Sequence, residues 1–368
     1  MPFVEERSNG WAYHDVVRML MLRQKRRSSP HGWTLLHSKL ADYHETLLQN
    51  LELEPQKAWN DQTWQSYKLN ILYHRLCQTP QRSLPQALNE FLAVLKNKRS
   101  LARRWAATMI QAGKDTEVGE IQRWGEQLLE GLKAFDEKRH EATVSMLTKL
   151  LKDSCIEKKW RSVALNWRGL VYLQSSEYLK AIEDQTEAIK FASDNAEYFN
   201  HRGCTYLSME RYPEALQDFD HAIEIDPNFT LSLACRGYTY GIMKRYSEAL
   251  QDFDRAIEID PKYISALTGR GETYQRMERY PEALQDFDHA IEIDPKSISV
   301  STGRGNTYRI MERYPEALQD FDHAIEIDPK DTWALTCRGE TYLMLCSYNK
   351  ALADFNQAIE LDSNDDWY

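Results

Sequence analysis

The sequence predicts an all-α solenoid of antiparallel helix pairs, preceded by an irregular helical region. Two observations carry this prediction. The segment Arg-Tyr-Pro-Glu-Ala-Leu-Gln-Asp-Phe-Asp-His-Ala-Ile-Glu-Ile-Asp-Pro at 211–227 recurs unchanged at 279–295 and 313–329, and at 245–261 with differences only at Ser247 and Arg255. Gly169, Gly203, Gly237, Gly271, Gly305 and Gly339 follow one another at intervals of 34 residues. A fixed period of this length marks an array whose units stack only on their neighbours.

Each repeat is numbered here so that its glycine is position 8, which makes the second repeat 196–229. Its first helix, A, carries Gly203 and Tyr206; its second, B, carries Ala215, Phe219 and Ala222. Gly203 and Ala215 have almost no side chain, so two helix backbones are expected to approach there, with Tyr206 and Phe219 filling the space beside them. Pro213 suits the first turn of helix B, where its missing N–H would be unsatisfied anyway. Asp226-Pro227 ends that helix, because the residue before proline is pushed out of the α region. Tyr, Ala, Phe and Ala recur as Tyr240, Ala249, Phe253, Ala256, as Tyr274, Ala283, Phe287, Ala290, and as Tyr308, Ala317, Phe321, Ala324. The flanking repeats are looser: Gln185 replaces the Phe in the first, and Ser363 the Pro in the last.

On these residues the array, 162–365, resembles the tetratricopeptide (TPR) repeat. The resemblance implies six helix pairs wound into a right-handed superhelix, with a concave groove lined by the A helices.

The first 113 residues read differently. They hold 16 Lys and Arg against 9 Asp and Glu, while the whole chain carries a net charge of −10. An acidic array repels nucleic acid, so any such contact falls to this basic region. A short strand, the turn Ser8-Asn9-Gly10 and a helix starting at Asp15 are expected, Asp15 placing negative charge in the first turn. Tyr13-His14-Asp15 resembles the Met-His-Asp motif near the end of the winged-helix part of STAND-type signal-transduction ATPases, with Tyr in place of Met. That resemblance implies a tail or remnant of a switch ATPase, in which the histidine contacts a nucleotide phosphate. An ordinary helix-capping His-Asp is the other reading. No Gly-x-x-x-x-Gly-Lys-Ser/Thr loop is present in the sequence, so no ATP binding is expected of this chain.

Four apolar stripes at helical spacing follow. They are Trp33, Leu36, Leu40, Tyr43, Leu47 and Leu51; Trp64, Tyr67, Ile71, Leu72 and Leu76; Leu88, Phe91, Leu92 and Leu95, entered through Ser83-Leu84-Pro85; and Leu101, Trp105, Met109 and Ile110, ending at Gly113. His31, His37, His44 and His74 share no ligand spacing. Residues 114–161 read as a capping hairpin, with Ile121, Trp124, Leu128, Leu132 and Phe135 on one helix face and Ala142, Met146, Leu147 and Leu150 on the next. Residues 366–368 form a tail, with Trp367 and Tyr368 folding back over the last repeat or leaving that face for self-association.

The function classes narrow accordingly. No apolar run approaches the twenty residues of a membrane span, and no secretory leader is legible, so a soluble cytoplasmic chain is expected. The six cysteines show no metal-ligand spacing and read as free thiols. Cys204 and Cys235 are expected to face one another across neighbouring A helices. Carboxylates recur at repeat positions rather than converging, and no nucleophilic or metal constellation is legible. No enzyme activity, cofactor or metal is therefore expected.

Every repeat has Arg at position 7 and Asp at position 23, which an antiparallel hairpin sets opposite one another. The expected structural ion pairs are Arg202–Asp218, Arg236–Asp252, Arg270–Asp286 and Arg304–Asp320, with Arg168–Asp184 and Arg338–Asp354 in the flanking repeats. The resemblance assigns positions 2, 5, 6, 9, 12 and 13 to the groove. It thereby nominates Asn166, Asn200, His201, Tyr238, Glu272, Arg276, Asn306, Arg309, Trp333 and Glu340. Gly269, Gly303, Thr268 and Thr302 are expected to leave room there for a bulky group. The groove lacks the lysines of the family's clamp for acidic tails. The expectation is a protein- or peptide-binding module, with no membrane partner and no nucleic acid on the array. It serves either as the sensor arm of a STAND-type ATPase or as a stand-alone TPR adaptor. A nucleic-acid regulator acting through residues 1–113 is the third alternative.

Overall fold

The computed structural model describes residues 4–7, 10–13 and 15–364. His14 of the Tyr13-His14-Asp15 motif, and Trp367 and Tyr368, lie outside the described residues. The chain divides into two units, Met1–Asp194 and Asn195–Tyr368.

In the first unit, strand β1 (Val4–Arg7) pairs antiparallel with β2 (Gly10–Tyr13), Val4 opposite Tyr13. Helix α1 (Asp15–Ser28) follows, starting at the expected residue. Pro30 opens α2 (Pro30–Gln49), where Ser29 caps by accepting from the Gly32 N–H. The short α3 (Pro55–Ala58) leads to α4 (Gln62–Gln78), capped by Asp61 on the Trp64 N–H at 2.7 Å. Then come α5 (Pro80–Asn97), α6 (Arg99–Thr116), α7 (Gly119–Asp136), α8 (His140–Lys152), α9 (Lys158–Gln174) and α10 (Tyr178–Phe191). The core is built from α4 to α8, with Leu76, Phe91, Leu92, Trp105, Met109, Leu128 and Leu147 buried. The hairpin α7–α8 packs on α9, as a cap to the first repeat requires.

Several expectations for this unit are corrected. Helix α2 buries Trp33, His37 and Ala41 and leaves Leu36 and Tyr43 exposed, because the Trp33 indole reaches the Cys77 carbonyl at 2.9 Å and so sets the helix's rotation. Helix α5 begins at Pro80 and takes Pro85 into its interior. The Asn89 amide donates to the Pro85 and Cys155 carbonyls, and its oxygen accepts from the Glu157 N–H, so one buried side chain ties α5 to the α8–α9 loop. Gly113 ends nothing. It lies inside α6, where a Cβ would come within 2.4 Å of the Gln122 backbone N. It permits the α6–α7 contact, and the region end expected at residue 113 falls within a helix.

The histidines are also redistributed. His37 and His74 meet Nδ1 to Nδ1 at 2.8 Å, and His44 stacks on His74 with ring centroids 5.8 Å apart. Burial lowers the pKa of both His37 and His74 to about 4. One neutral ring donates and the other accepts. Among the described residues, no group of three or more His, Cys, Asp or Glu is arranged to hold a metal.

The second unit is five stacked helix pairs: α11 (Ala196–Ser208) with α12 (Tyr212–Ile225), α13 (Thr230–Ile242) with α14 (Tyr246–Ile259), α15 (Ile264–Arg276) with α16 (Tyr280–Ile293), α17 (Ile298–Ile310) with α18 (Tyr314–Ile327), and α19 (Thr332–Met344) with α20 (Tyr348–Asn364). The A-to-B turn repeats one device. Glu210, Lys244, Glu278, Glu312 and Cys346 take φ values of 55–61°, and the next N–H bonds back to the helix A tyrosine carbonyl, as Arg211 does to Tyr206 at 2.9 Å.

The glycines make room for phenylalanine rings rather than for alanine methyls. A Cβ on Gly203 would stand 2.6 Å from the Phe219 ring. Gly269 and Gly303 make room for rings as well, since a Cβ there would meet Phe253 at 2.5 Å and Phe287 at 2.9 Å, while Thr302 and Gly303 also line open space on the groove side. Each of these two rings is thus wedged between the glycine of its own repeat and one in the next. At the far end Tyr348, Leu352 and Ile359 of α20 are exposed.

Candidate ligand groove

The A helices are locked before any of them can present a groove. Each position-7 arginine grips the position-23 aspartate with two parallel hydrogen bonds. Arg270 Nε lies 2.8 Å from Asp286 Oδ2 and its Nη2 2.6 Å from Oδ1, and the same fork joins Arg202–Asp218, Arg236–Asp252 and Arg304–Asp320. The flanking repeats carry it as Arg168–Asp184 and Arg338–Asp354. The remaining nitrogen, Nη1, reaches back to the preceding helix B, pairing Arg236 with Asp220, Arg270 with Asp254, Arg304 with Asp288 and Arg338 with Asp322 at 2.6–2.7 Å. This third link went unread, although an aspartate recurs at position 25 in these four repeats. Position 10 adds Thr205, Thr239, Thr273, Thr307 and Thr341, each hydroxyl donating to the carbonyl four residues earlier.

With arginine, glycine and threonine committed to the scaffold, the groove is left to the positions that vary. Five of the nominated residues, Tyr238, Glu272, Arg276, Asn306 and Trp333, line one open cavity of about 550 Å³. Ser299 and Asp331 join them from the starts of α17 and α19. Asp331 already caps α19 on the Ala334 N–H, a role its place just before the helix would have signalled. Tyr238 and Trp333 are exposed, at 45% and 62%, and stand one in the third repeat and one in the sixth. Between them Glu272 is half-buried, and burial raises its pKa while Arg276, one turn on, partly opposes that shift. Arg276 is exposed. Arg309 donates to the Asn306 side-chain amide oxygen at 2.7 Å and pairs with Glu340 at 3.3 Å, and neither Arg309 nor Glu340 lines the cavity. Gln275 likewise donates to Thr307 at 2.9 Å.

The other nominated residues are placed differently. Asn200 is buried, accepting from the Ser232 hydroxyl at 2.9 Å, and so ties two A helices together instead of facing a ligand. Asn166 is buried in the first unit. His201 is half-buried, and burial lowers its pKa. The cavity can hold an extended or helical segment that offers a cation to Glu272, an anion to Arg276 and flat or apolar groups to the two aromatics.

Residues 196–229 and 231–263 match one family model described as tetratricopeptide repeat, and 262–330 match a second of the same description. The repeats in this segment are tetratricopeptide repeats. A solved tetratricopeptide repeat protein from Parabacteroides merdae ATCC 43184 is 20% identical with a TM-score of 0.55, over 66% of this chain and 95% of that one. Pseudomonas aeruginosa pilF is 17% identical with a TM-score of 0.48, over 56% and 94%. YrrB, a TPR protein with an unusual peptide-binding site, is 23% identical with a TM-score of 0.36, over 49% and 93%. At these identities the likeness is one of fold. No curated protein matches the sequence.

Proposed function

We propose that the repeats form a non-enzymatic protein-interaction module that holds a peptide segment of mixed charge in the cavity between Tyr238 and Trp333. The observation that carries this reading is a half-buried carboxylate, Glu272, one turn from an exposed guanidinium, Arg276, in a cavity that two exposed aromatics also line. A carboxylate kept from water favours a ligand that brings a cation to it, because the ligand then relieves the desolvation it has already suffered. The arginine and aspartate ladder is spent on stacking, which leaves these variable positions to set specificity. Among the described residues no helix is long and apolar enough to cross a membrane.

Panning a random peptide library against the full chain tests this. Enriched sequences should place Lys or Arg near Asp or Glu beside an aromatic residue, and should lose binding to the Glu272→Ala and Trp333→Ala variants. Peptides that bind both variants as well as the parent would remove the cavity from the reading.

A second reading, the sensor arm of a STAND-type ATPase, is supported by the β1–β2 hairpin running directly into α1 at Asp15. A P-loop encoded upstream in the same reading frame would favour it over a stand-alone adaptor.

A further inference from the structure

We propose that Cys204 and Cys235 form a redox-active dithiol, which a hydroperoxide converts into a disulfide joining the A helices of two successive repeats. The two residues stand at different places in the period, Cys204 at position 9 of α11 and Cys235 at position 6 of α13. Their Sγ atoms are 3.8 Å apart. Cysteine at position 6 recurs as Cys337 in the sixth repeat, but there the preceding repeat has Asn306 at position 9, so the facing pair of cysteines is confined to Cys204 and Cys235. What these two positions share is that they face one another. The site is also braced. The Asn200 amide donates to Cys204 Sγ at 3.9 Å and its oxygen accepts from Ser232 at 2.9 Å, which fixes how α11 lies against α13 at the pair.

The chemistry suits the geometry. Either thiol can donate across this contact; with Cys204 as donor, the hydrogen bond lowers the Cys235 pKa and raises that of Cys204. Cys235 is therefore the attacking thiolate and Cys204 the resolving thiol. Cys235 displaces water from the peroxide and becomes a sulfenic acid. Cys204 then attacks that sulfur, its S–H proton leaves with the hydroxyl as a second water, and the S–S bond forms. The peroxide takes up the two electrons. Bond formation requires the two sulfurs, now 3.8 Å apart, to close to a bond length of about 2.0 Å. Both cysteines are half-buried, so a small oxidant reaches them. The remaining thiols are poorer candidates: burial raises Cys155 to about 12 and Cys337 to about 11, Cys77 is buried, and Cys346 stands on a turn.

The test uses the full chain with hydrogen peroxide and does not depend on any groove ligand. A non-reducing tryptic digest should yield the peptides 203–211 and 212–236 joined and lighter by two hydrogens, and dithiothreitol should separate them. In the Cys204→Ser variant, dimedone should trap a sulfenic acid at Cys235; the parent, which resolves it, should lose that adduct. Circular dichroism of the variant should match that of the parent, which checks that it remains folded. A stable dimedone adduct at Cys235 in the parent without the cross-link would overturn the proposal. So would a cross-link that runs preferentially to Cys346.

Discussion

Arg270 joins two repeats at once: its fork holds Asp286 of its own repeat at 2.6 and 2.8 Å, and its third nitrogen holds Asp254 of the preceding one at 2.7 Å. The two partners differ in setting. Asp286 is 6% exposed and Asp254 51%, with Arg270 at 21%. A double-mutant cycle of Arg270→Met and Asp286→Asn should therefore give a coupling energy above the roughly 0.2–1 kcal/mol of exposed pairs and below the roughly 3–5 kcal/mol lost when a buried pair is broken. Asp254→Asn alone should cost about 1 kcal/mol or less. Urea melts read both, and a coupling of zero would return the arginine to the list of groove residues.

The glycines give an ordered pair of outcomes. Alanine in a helix interior is favoured over glycine by about 1 kcal/mol, so only a steric clash makes the exchange unfavourable. At Gly271 the added Cβ meets the Phe287 ring at 3.1 Å, which small shifts relieve. At Gly269 it meets the buried Phe253 ring at 2.5 and 2.6 Å. Gly269→Ala should destabilise by roughly 1–3 kcal/mol and Gly271→Ala should come out near neutral. Equal effects in thermal melts would show that the inter-repeat wedge is misassigned.

This wedge also shows where the sequence stopped being legible. The period carries what repeats within one unit, which is why the helix-B boundaries at Pro213 and Asp226-Pro227 and the Arg270–Asp286 opposition follow from spacing. A ring that crosses into the next repeat is a relation between periods, so the contact of Phe253 with Gly269 is not encoded in the spacing within either repeat. The third partner of Arg270 was missed for the same reason. Outside the array nothing repeats, and the rotation of α2 was set by one hydrogen bond, Trp33 to Cys77, that no hydrophobic pattern encodes. In the groove, side-chain type was legible but burial was not, so Asn200 and Tyr238 looked equivalent.

The His37–His74 pair predicts acid sensitivity in the first unit. Both pKa values are lowered from 6.5 to about 4, chiefly by burial, with Asp115 opposing at His37 and the neighbouring histidines adding at His74. A depressed folded value means the contribution to stability is complete above pH 6.5 and is lost as pH falls towards 4. The loss over that window should be roughly 1–3 kcal/mol. Denaturant melts of His74→Phe should show a flatter slope between those limits; an unchanged slope would place the acid sensitivity elsewhere.

Glu272 has the opposite sign. Burial raises its pKa, so its contribution to stability is present at low pH and falls as the carboxylate ionises. Glu272→Gln should melt with the parent at pH 4 and above it at pH 8, while binding the selected peptides more weakly. Trp333→Ala, at an exposed position, should leave the melt unchanged and weaken binding by about 1 kcal/mol or more. A stabilised Glu272→Gln variant that keeps full affinity would detach that carboxylate from recognition.

The last prediction concerns the end of the array, where the logic of stacking is most exposed. Within the second unit, each earlier helix B packs on the A helix that follows, as α18 does on α19, and Leu318 and Ile325 are half-buried. The equivalent residues of α20, Leu352 and Ile359, are 59% and 65% exposed, and Tyr348 is 63% exposed. Each unit of a solenoid draws its stability from its neighbours, so α20 should open first and α13 to α16 last. Amide exchange should rank them in that order. Leu352→Ser should then change stability by no more than about 0.5 kcal/mol, whereas Leu318→Ser, at the same position one repeat earlier, should cost roughly 1–2 kcal/mol. Equal costs, or protection in α20 matching that of α14, would mean that its outer face is covered in solution. Repeating the exchange on dilution would then decide whether a second copy covers it, because only an intermolecular cover is lost as concentration falls.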